Sequence, residues 1–235
     1  GRLSPDEQKT VAENADKIVD FNSVYNRLRL IKSDEEMNWM QIGALLSDMA
    51  IDAMVKNTEP GITERELSAK TQEAYLPYGG AHVIEFMGVT QMKNPDCCVP
   101  PQFPSTRKIQ KGDVLVTEIT SHFWNYPGQV LRTMTISEKP TPLYQELHAV
   151  AELVRTNIET ALKPGCTASE IFELSSIIED AGFSIWDDLT HGYGGGYLAP
   201  VLGCKSRPAG PVPEFRFELR KLRKCPNNNI IYIYF

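Results

Sequence analysis

Residues Val114 to Thr133 constrain this chain more than any other stretch. Val114 to Phe123 and Gln129 to Thr133 look like strands, and Trp124-Asn125-Tyr126-Pro127-Gly128 between them carries turn chemistry. The pattern predicts two antiparallel strands joined by a polar turn. Side chains alternate along a strand with period two, so Val114, Val116 and Glu118 share one face, and Gln129, Leu131 and Thr133 share one face of the returning strand. Such a hairpin can hold Glu118 and Gln129 opposite each other. The functional reading depends on what those two side chains do.

The flanks predict helices. Ser33 and Glu36 form a capping box, and Met37, Met40, Leu45, Met49, Ala53 and Met54 follow at helical spacing, so a core helix should run to about Lys56. Thr63 and Glu66 start a second helix that ends near Tyr78-Gly79-Gly80, and His82 to Thr90 reads as a strand. Asn94 to Thr106 is a proline-rich loop, and Lys111-Gly112-Asp113 turns into the hairpin. Thr141 and Pro142 open a helix to about Leu162, with Thr141 as its cap. Thr167 with Glu170 caps another, which ends at Gly182.

Pro60–Leu67 and Pro164–Ile171 share the pattern Pro-Gly-x-Thr-x-x-Glu-apolar, each after a long helix and before a glycine-terminated one. Shared capping chemistry explains that as well as a duplication does; a duplication would give two similar α+β halves. The glycine-rich run Leu189 to Pro200 is a poor dinucleotide loop, because no helix follows and Pro200 interrupts it. The basic run Leu219 to Lys224 reads as a solvated face, and the final Ile/Tyr run as a turn and strand.

A net charge of −6 over 235 residues argues against nucleic acid or an anionic membrane as partner. No apolar run reaches the roughly 20 residues that span a bilayer. Five cysteines (Cys97, Cys98, Cys166, Cys204 and Cys225) lack framework or zinc spacing, so reduced thiols in a cytoplasmic protein are expected.

Taken in order, these segments resemble a known family. Ile31-Lys32-Ser33 with Glu36, both Pro-Gly-x-Thr-x-x-Glu starts, Lys111-Gly112-Asp113-Val114, the hairpin ending in Arg132-Thr133, and His191-Gly192-x-Gly194 are similar to the pita-bread proteins. That family includes aminopeptidase P, prolidase, methionine aminopeptidase and creatinase. The resemblance covers about Leu28 to Pro226. It implies an α+β pita-bread fold: a curved antiparallel sheet, helices on its outer face, two pseudo-repeated halves, and a chain that stops short of the last family strand. Residues 1–22 are then an N-terminal segment or linker remnant, and residues 23–235 the domain. The family also implies a homodimer.

Family metallopeptidases hold two divalent cations with two Asp from the hairpin, one His from the glycine-rich segment and two later Glu. Carried over residue by residue, the first Asp falls on Glu118 and the second, eleven residues on, on Gln129. The metal histidine falls on His191. A substrate histidine seven residues on falls on Leu198, and the next Glu on Ala199, with Pro200 kept. The first late Glu falls on Cys225 before Pro226, and the last has no counterpart. Two such cations bring about four positive charges, which carboxylates bridge and a neutral amide does not. The expectation is no dinuclear metal cofactor, with room for at most one weakly held divalent cation on Glu118 and His191.

Loss of metal does not end chemistry, since creatinase in the same family works without it. The first expectation is therefore a metal-independent hydrolase or lyase acting on a small amide-, amidine- or peptide-like molecule. His191 and Glu118 are its catalytic candidates, and Gln129, Arg132 and Tyr193 its substrate-binding ones. Two alternatives stay open at this stage: a non-catalytic binding module on the same fold, and a metal-dependent Xaa-Pro aminopeptidase. His191 could equally be a packed histidine, and Glu118 a buried acid paired with Arg132.

Overall fold

The computed structural model describes residues 3–17 and 19–212. Seven α-helices, a 3-10 helix at Leu76–Tyr78 and five strands are described: α1 (Pro5–Asn14), α2 (Asn22–Leu30), α3 (Asp34–Asn57), α4 (Glu64–Glu73), β1 (Ala81–Gln91), β2 (Asp113–Phe123), β3 (Tyr126–Thr135), α5 (Pro142–Ala161), α6 (Ala168–Leu174), α7 (Ser176–Asp180), β4 (Thr190–Tyr193) and β5 (Tyr197–Leu202). The basic run, the final Ile/Tyr run and Cys225 lie outside the described residues.

Helix α3 begins at the expected capping box: the Ser33 hydroxyl accepts from Glu36 N, and Glu36 accepts from Ser33 N at 2.6 Å. Its buried face is Met40, Gly43, Leu46, Ser47, Ala50 and Met54. The expected stripe was one residue out at its centre, since Leu45 is 61% exposed and Leu46 is buried. Full burial of a leucine is worth about 1.5–3 kcal/mol, so Leu46 and not Leu45 holds α3 to the sheet. The close approach of helix to strand explains Gly43 and Gly128. A Cβ on Gly128 would lie 2.2 Å from the Ala44 backbone, and one on Gly43 would lie 2.5 Å from the Tyr126 carbonyl oxygen.

Strands β1, β2 and β3 form an antiparallel sheet in that order. Leu46, Ala50 and Met54 of α3, with Leu67 and Tyr75, pack on Met87, Val89, Leu115, Ile119 and Val130. The hairpin turn is tighter than the sequence suggested. Only Trp124 and Asn125 lie in it, both at positive φ (50° and 64°), while Pro127 and Gly128 already belong to β3. Two consecutive positive φ values make the two-residue turn that matches strand twist. The register pairs Glu118 with Leu131, and Gln129 with Thr120. Glu118 and Gln129 are thus diagonal neighbours on one face, not the directly opposed pair that the sequence suggested.

The outer edge of β1 is covered by loop 94–106, as Met87 N donates to the Pro101 carbonyl. Buried Glu64 accepts from Val89 N at 2.9 Å and Ser105 N at 2.7 Å, which ties helix, strand and loop together. A carboxylate that satisfies strand-edge amides closes an edge that would otherwise recruit another strand.

The second half repeats the plan on a smaller scale. Thr167 and Glu170 form the same reciprocal box as Thr63 and Glu66. Each follows a glycine at positive φ, Gly61 at 105° and Gly165 at 92°. Helices α5, α6 and α7 pack on Ile185, Leu189 and Leu202 around Val154, Ile158, Ile171 and Ile178. Two expectations are corrected here. The single helix ending at Gly182 is broken at Ser175 into α6 and α7. Thr141 precedes α5 without a side-chain cap bond. Helix α1 buries none of its residues.

Candidate functional site

One face of the β1–β3 sheet packs on α3 and α4. The other carries Glu118, Thr120 and Gln129, all buried. Gln129 Nε2 donates to Glu118 Oε1 at 2.6 Å. The amide nitrogen thus lies against a carboxylate oxygen in a place where water is scarce, which makes the bond charge-assisted.

The β4–β5 hairpin brings the glycine-rich segment to this face. Tyr193 is buried and packs with Met37, Met40, Tyr126 and Leu131. Its phenol is pushed up to about 12, chiefly by burial and next by the Glu118 charge, while Thr120 works in the opposite direction. Tyr193 and Glu118 are therefore parts of one electrostatic unit. His191 is flanked by Tyr193 (ring centroids 4.7 Å, edge-on) and Tyr197 (4.3 Å, 30° between planes). Burial holds the imidazole below its ordinary value, opposed by the Gly192 carbonyl and by Asp187. His191 Nδ1 lies 3.3 Å from that carbonyl, a contact that puts the proton on Nδ1 and the lone pair on Nε2. The ring is thus neutral near pH 7, the form a general base needs.

Asp188 extends the group. Its Oδ2 accepts from Tyr197 OH at 3.3 Å, and burial together with the neighbouring Asp187 raises its carboxyl to about 6. No sequence signal marked Asp188 or Tyr197, because their relation to His191 exists only once the hairpin closes. The same holds for Arg29, which reaches the hairpin turn from 165 residues away.

Four of the five expected site residues join here: Gln129 bonds Glu118, Tyr193 lies in the field of Glu118, and His191 joins through its ring contact with Tyr193. Arg132 does not. It pairs with Thr117 on the helix-facing side, is exposed, and donates to the Leu131 carbonyl. Strand parity separates it from Glu118, so the suggested Glu118–Arg132 pair is not formed. Leu198, where the family carries its second histidine, is buried opposite Gly192.

The sequence pattern of metallopeptidase family M24 matches residues 38–201. The chain belongs to this family. Its M24 relatives include the Xaa-Pro dipeptidases of Pyrococcus furiosus (25% identical over 184 residues, 77% of this chain and 52% of that one) and Pyrococcus horikoshii (26% over 179 residues, 74% and 49%). The chain spans about half the length of these curated relatives. In solved structures its fold is similar to the prolidase from P. furiosus (TM-score 0.76, 22% identity, 86% of this chain and 60% of that). It is similar also to the X-Pro aminopeptidase from Thermotoga maritima (TM-score 0.74, 19% identity, 90% and 60%). The pita-bread fold expected from the motifs is therefore the M24 fold.

The metals that the fold family implies find a poor donor set. Among the described residues, no three His, Cys, Asp or Glu side chains gather in a way that could hold an ion. One Glu118 oxygen takes the Gln129 amide, and that amide presents its N–H and not its oxygen to the carboxylate. Of the positions that carry the family's ligands, the described ones offer Glu118, the Gln129 amide and His191, which by themselves do not balance two divalent cations.

Proposed function

We propose that this M24 chain handles a small amide-, amidine- or peptide-like molecule without a two-metal centre, as a hydrolase or lyase with His191 as general base. The bond from Gln129 to Glu118 carries the metal-independent part of this reading. Glu118 is a buried carboxyl held in place by that bond, suited to an N–H or cationic group of the ligand. Tyr193, beside it, offers a hydroxyl that burial keeps protonated. For hydrolysis, His191 Nε2 takes a proton from water as the water oxygen bonds to the acyl carbon. The C–N bond then breaks, and the imidazolium returns its proton to the leaving nitrogen. The names of the relatives point to Xaa-Pro dipeptides as the first molecules to try.

The test is turnover of Xaa-Pro dipeptides and of small amides and amidines, with and without chelator. The expected result is turnover that chelator leaves unchanged and that His191→Ala lowers by about 100-fold or more. Undiminished turnover in His191→Ala removes the reading. Turnover that needs an added metal supports instead the metal-dependent Xaa-Pro aminopeptidase suggested by the relatives. A second reading, a binding module without turnover, is favoured by the buried apolar Leu198 at the family's substrate-histidine position. Saturable binding of the same molecules with no turnover would select it.

A further inference from the structure

The hairpin that carries His191, Tyr193 and Tyr197 is weakly built. Its ladder pairs Thr190 with Leu202, Gly192 with Leu198 and Tyr193 with Tyr197, with a register shift between the first two. Its turn is Gly194-Gly195-Gly196, with Gly195 at φ 60° and Gly196 at 118°. Three adjacent glycines give the unfolded turn more freedom than any other triplet, so ordering it costs more. Gly194 N donates to the Gly196 carbonyl at 2.9 Å, which tightens the turn from within.

The carbonyls of Gly194 and Gly195 both accept from one guanidinium. Arg29 Nε donates to Gly194 O at 2.8 Å, and Arg29 Nη2 to Gly195 O at 2.9 Å. The backbone approach is close: a Cβ on Gly194 would lie 2.8 Å from Lys32 Cε and 2.9 Å from the Arg29 carbonyl oxygen. Arg29 sits in the last turn of α2, a helix that buries none of its residues. Its guanidinium also lies 5.2 Å above the Tyr25 ring, which limits its rotamers.

We propose that Arg29 is a positioning residue for His191: its planar fork fixes the glycine turn, and the turn fixes the stack of His191 against Tyr193 and Tyr197. The inference rests on His191 as the working group proposed above. Two parallel donors at fixed spacing set the direction of two successive carbonyls, which a lysine ammonium cannot do. Arg29 touches no reacting atom. It acts through the turn, and its loss should show in the geometry of the rings before it shows in overall stability.

The experiment is NMR on the whole chain at one fixed pH, comparing wild type with Arg29→Ala and Arg29→Lys. In the wild type, the flanking tyrosine rings displace the His191 ring-proton resonances, and cross-relaxation links His191 to Tyr197. Arg29→Ala should move those resonances toward exposed-histidine positions and weaken the cross-peak several-fold, while Tyr75, Met54 and Ile119 signals in the core stay in place. Arg29→Lys, which keeps the charge and the stem, should recover only part of the change and serves as the test if the alanine variant does not fold. Unchanged His191 resonances in either variant overturn the clamp, as does full recovery by lysine. If the Arg29 result holds but His191→Ala has no effect on turnover or binding, the functional reading fails and the clamp stands.

Discussion

Gln129 donates its side-chain amide to Glu118 at 2.6 Å, although neither residue is the other's partner in the strand register. The diagonal reach is available because both side chains leave the same face and the amide is long enough to cross. Glu118 thereby finds a neutral donor inside the protein. The sequence alone showed an acid and an amide at eleven-residue spacing.

Gln129→Glu tests that arrangement. The variant places two buried carboxylates at hydrogen-bond distance, so one must hold a proton. The expected loss is about 2–3 kcal/mol at neutral pH, read from urea or thermal unfolding. Shared protonation raises a folded-state carboxyl above its unfolded value, so the loss should grow as pH rises and shrink on mild acidification. Added Mn²⁺ or Co²⁺ should recover much of the lost stability in the variant and leave the wild type unchanged. A variant as stable as wild type without metal would contradict the account.

Gly128→Ala probes the contact that sets the sheet against α3. The new methyl would lie 2.2 Å from the Ala44 backbone, and no side-chain rotation relieves that. The expected cost exceeds about 3 kcal/mol, above the usual range for an overpacked core. Arg132→Ala, at an exposed position further along β3, should change stability by less than about 0.5 kcal/mol. It should leave ligand handling intact.

Where local chemistry decides an element, the sequence was enough. Ser33, Thr63 and Thr167 with their glutamates mark helix starts because a capping box is complete within four residues. Two strand-like runs on either side of turn residues located β2 and β3. What failed depended on contacts from elsewhere. Leu45 and Leu46 are equivalent by composition, and only the position of the sheet buries the second. The break at Ser175 and the two-residue turn at Trp124 leave no comparable mark. At the site, His191, Glu118, Gln129 and Tyr193 were readable through the family motifs. Arg29 and Asp188 were not, since each acts on residues that only folding brings near.

Glu85 provides a pH test away from the site. It is buried on the helix-facing side of the sheet, with Gln72 donating to one carboxylate oxygen. Ser68 and His82 also act on this group, and its charge in turn pushes the Tyr75 hydroxyl up. Burial raises its carboxyl, so the native chain keeps this proton at a pH where the unfolded chain has lost it. Its contribution is present at low pH and fades as pH rises through the folded-state value. Glu85→Gln removes the titration and keeps a partner for Gln72. Its melting temperature should therefore gain on wild type as pH rises from the ordinary carboxyl value through the raised folded-state one, and then level off. A constant difference over that range would contradict the assignment.

The two capping boxes predict matched costs. Thr63→Ala and Thr167→Ala each remove an acceptor for the third-position amide and should each cost about 1 kcal/mol in denaturant unfolding. Unequal effects would show that the two halves share a pattern but not its energetic role.

The central claim is that this M24 pocket keeps its fold and its histidine but not a two-metal centre. The most direct measurement is metal content by elemental analysis, after the purified chain is incubated with Mn²⁺, Co²⁺ or Zn²⁺ and dialysed. The account predicts well under one equivalent per chain, and no change in that figure for Gln129→Ala. Two equivalents retained per wild-type chain, lost on substitution of Glu118 or His191, would contradict it.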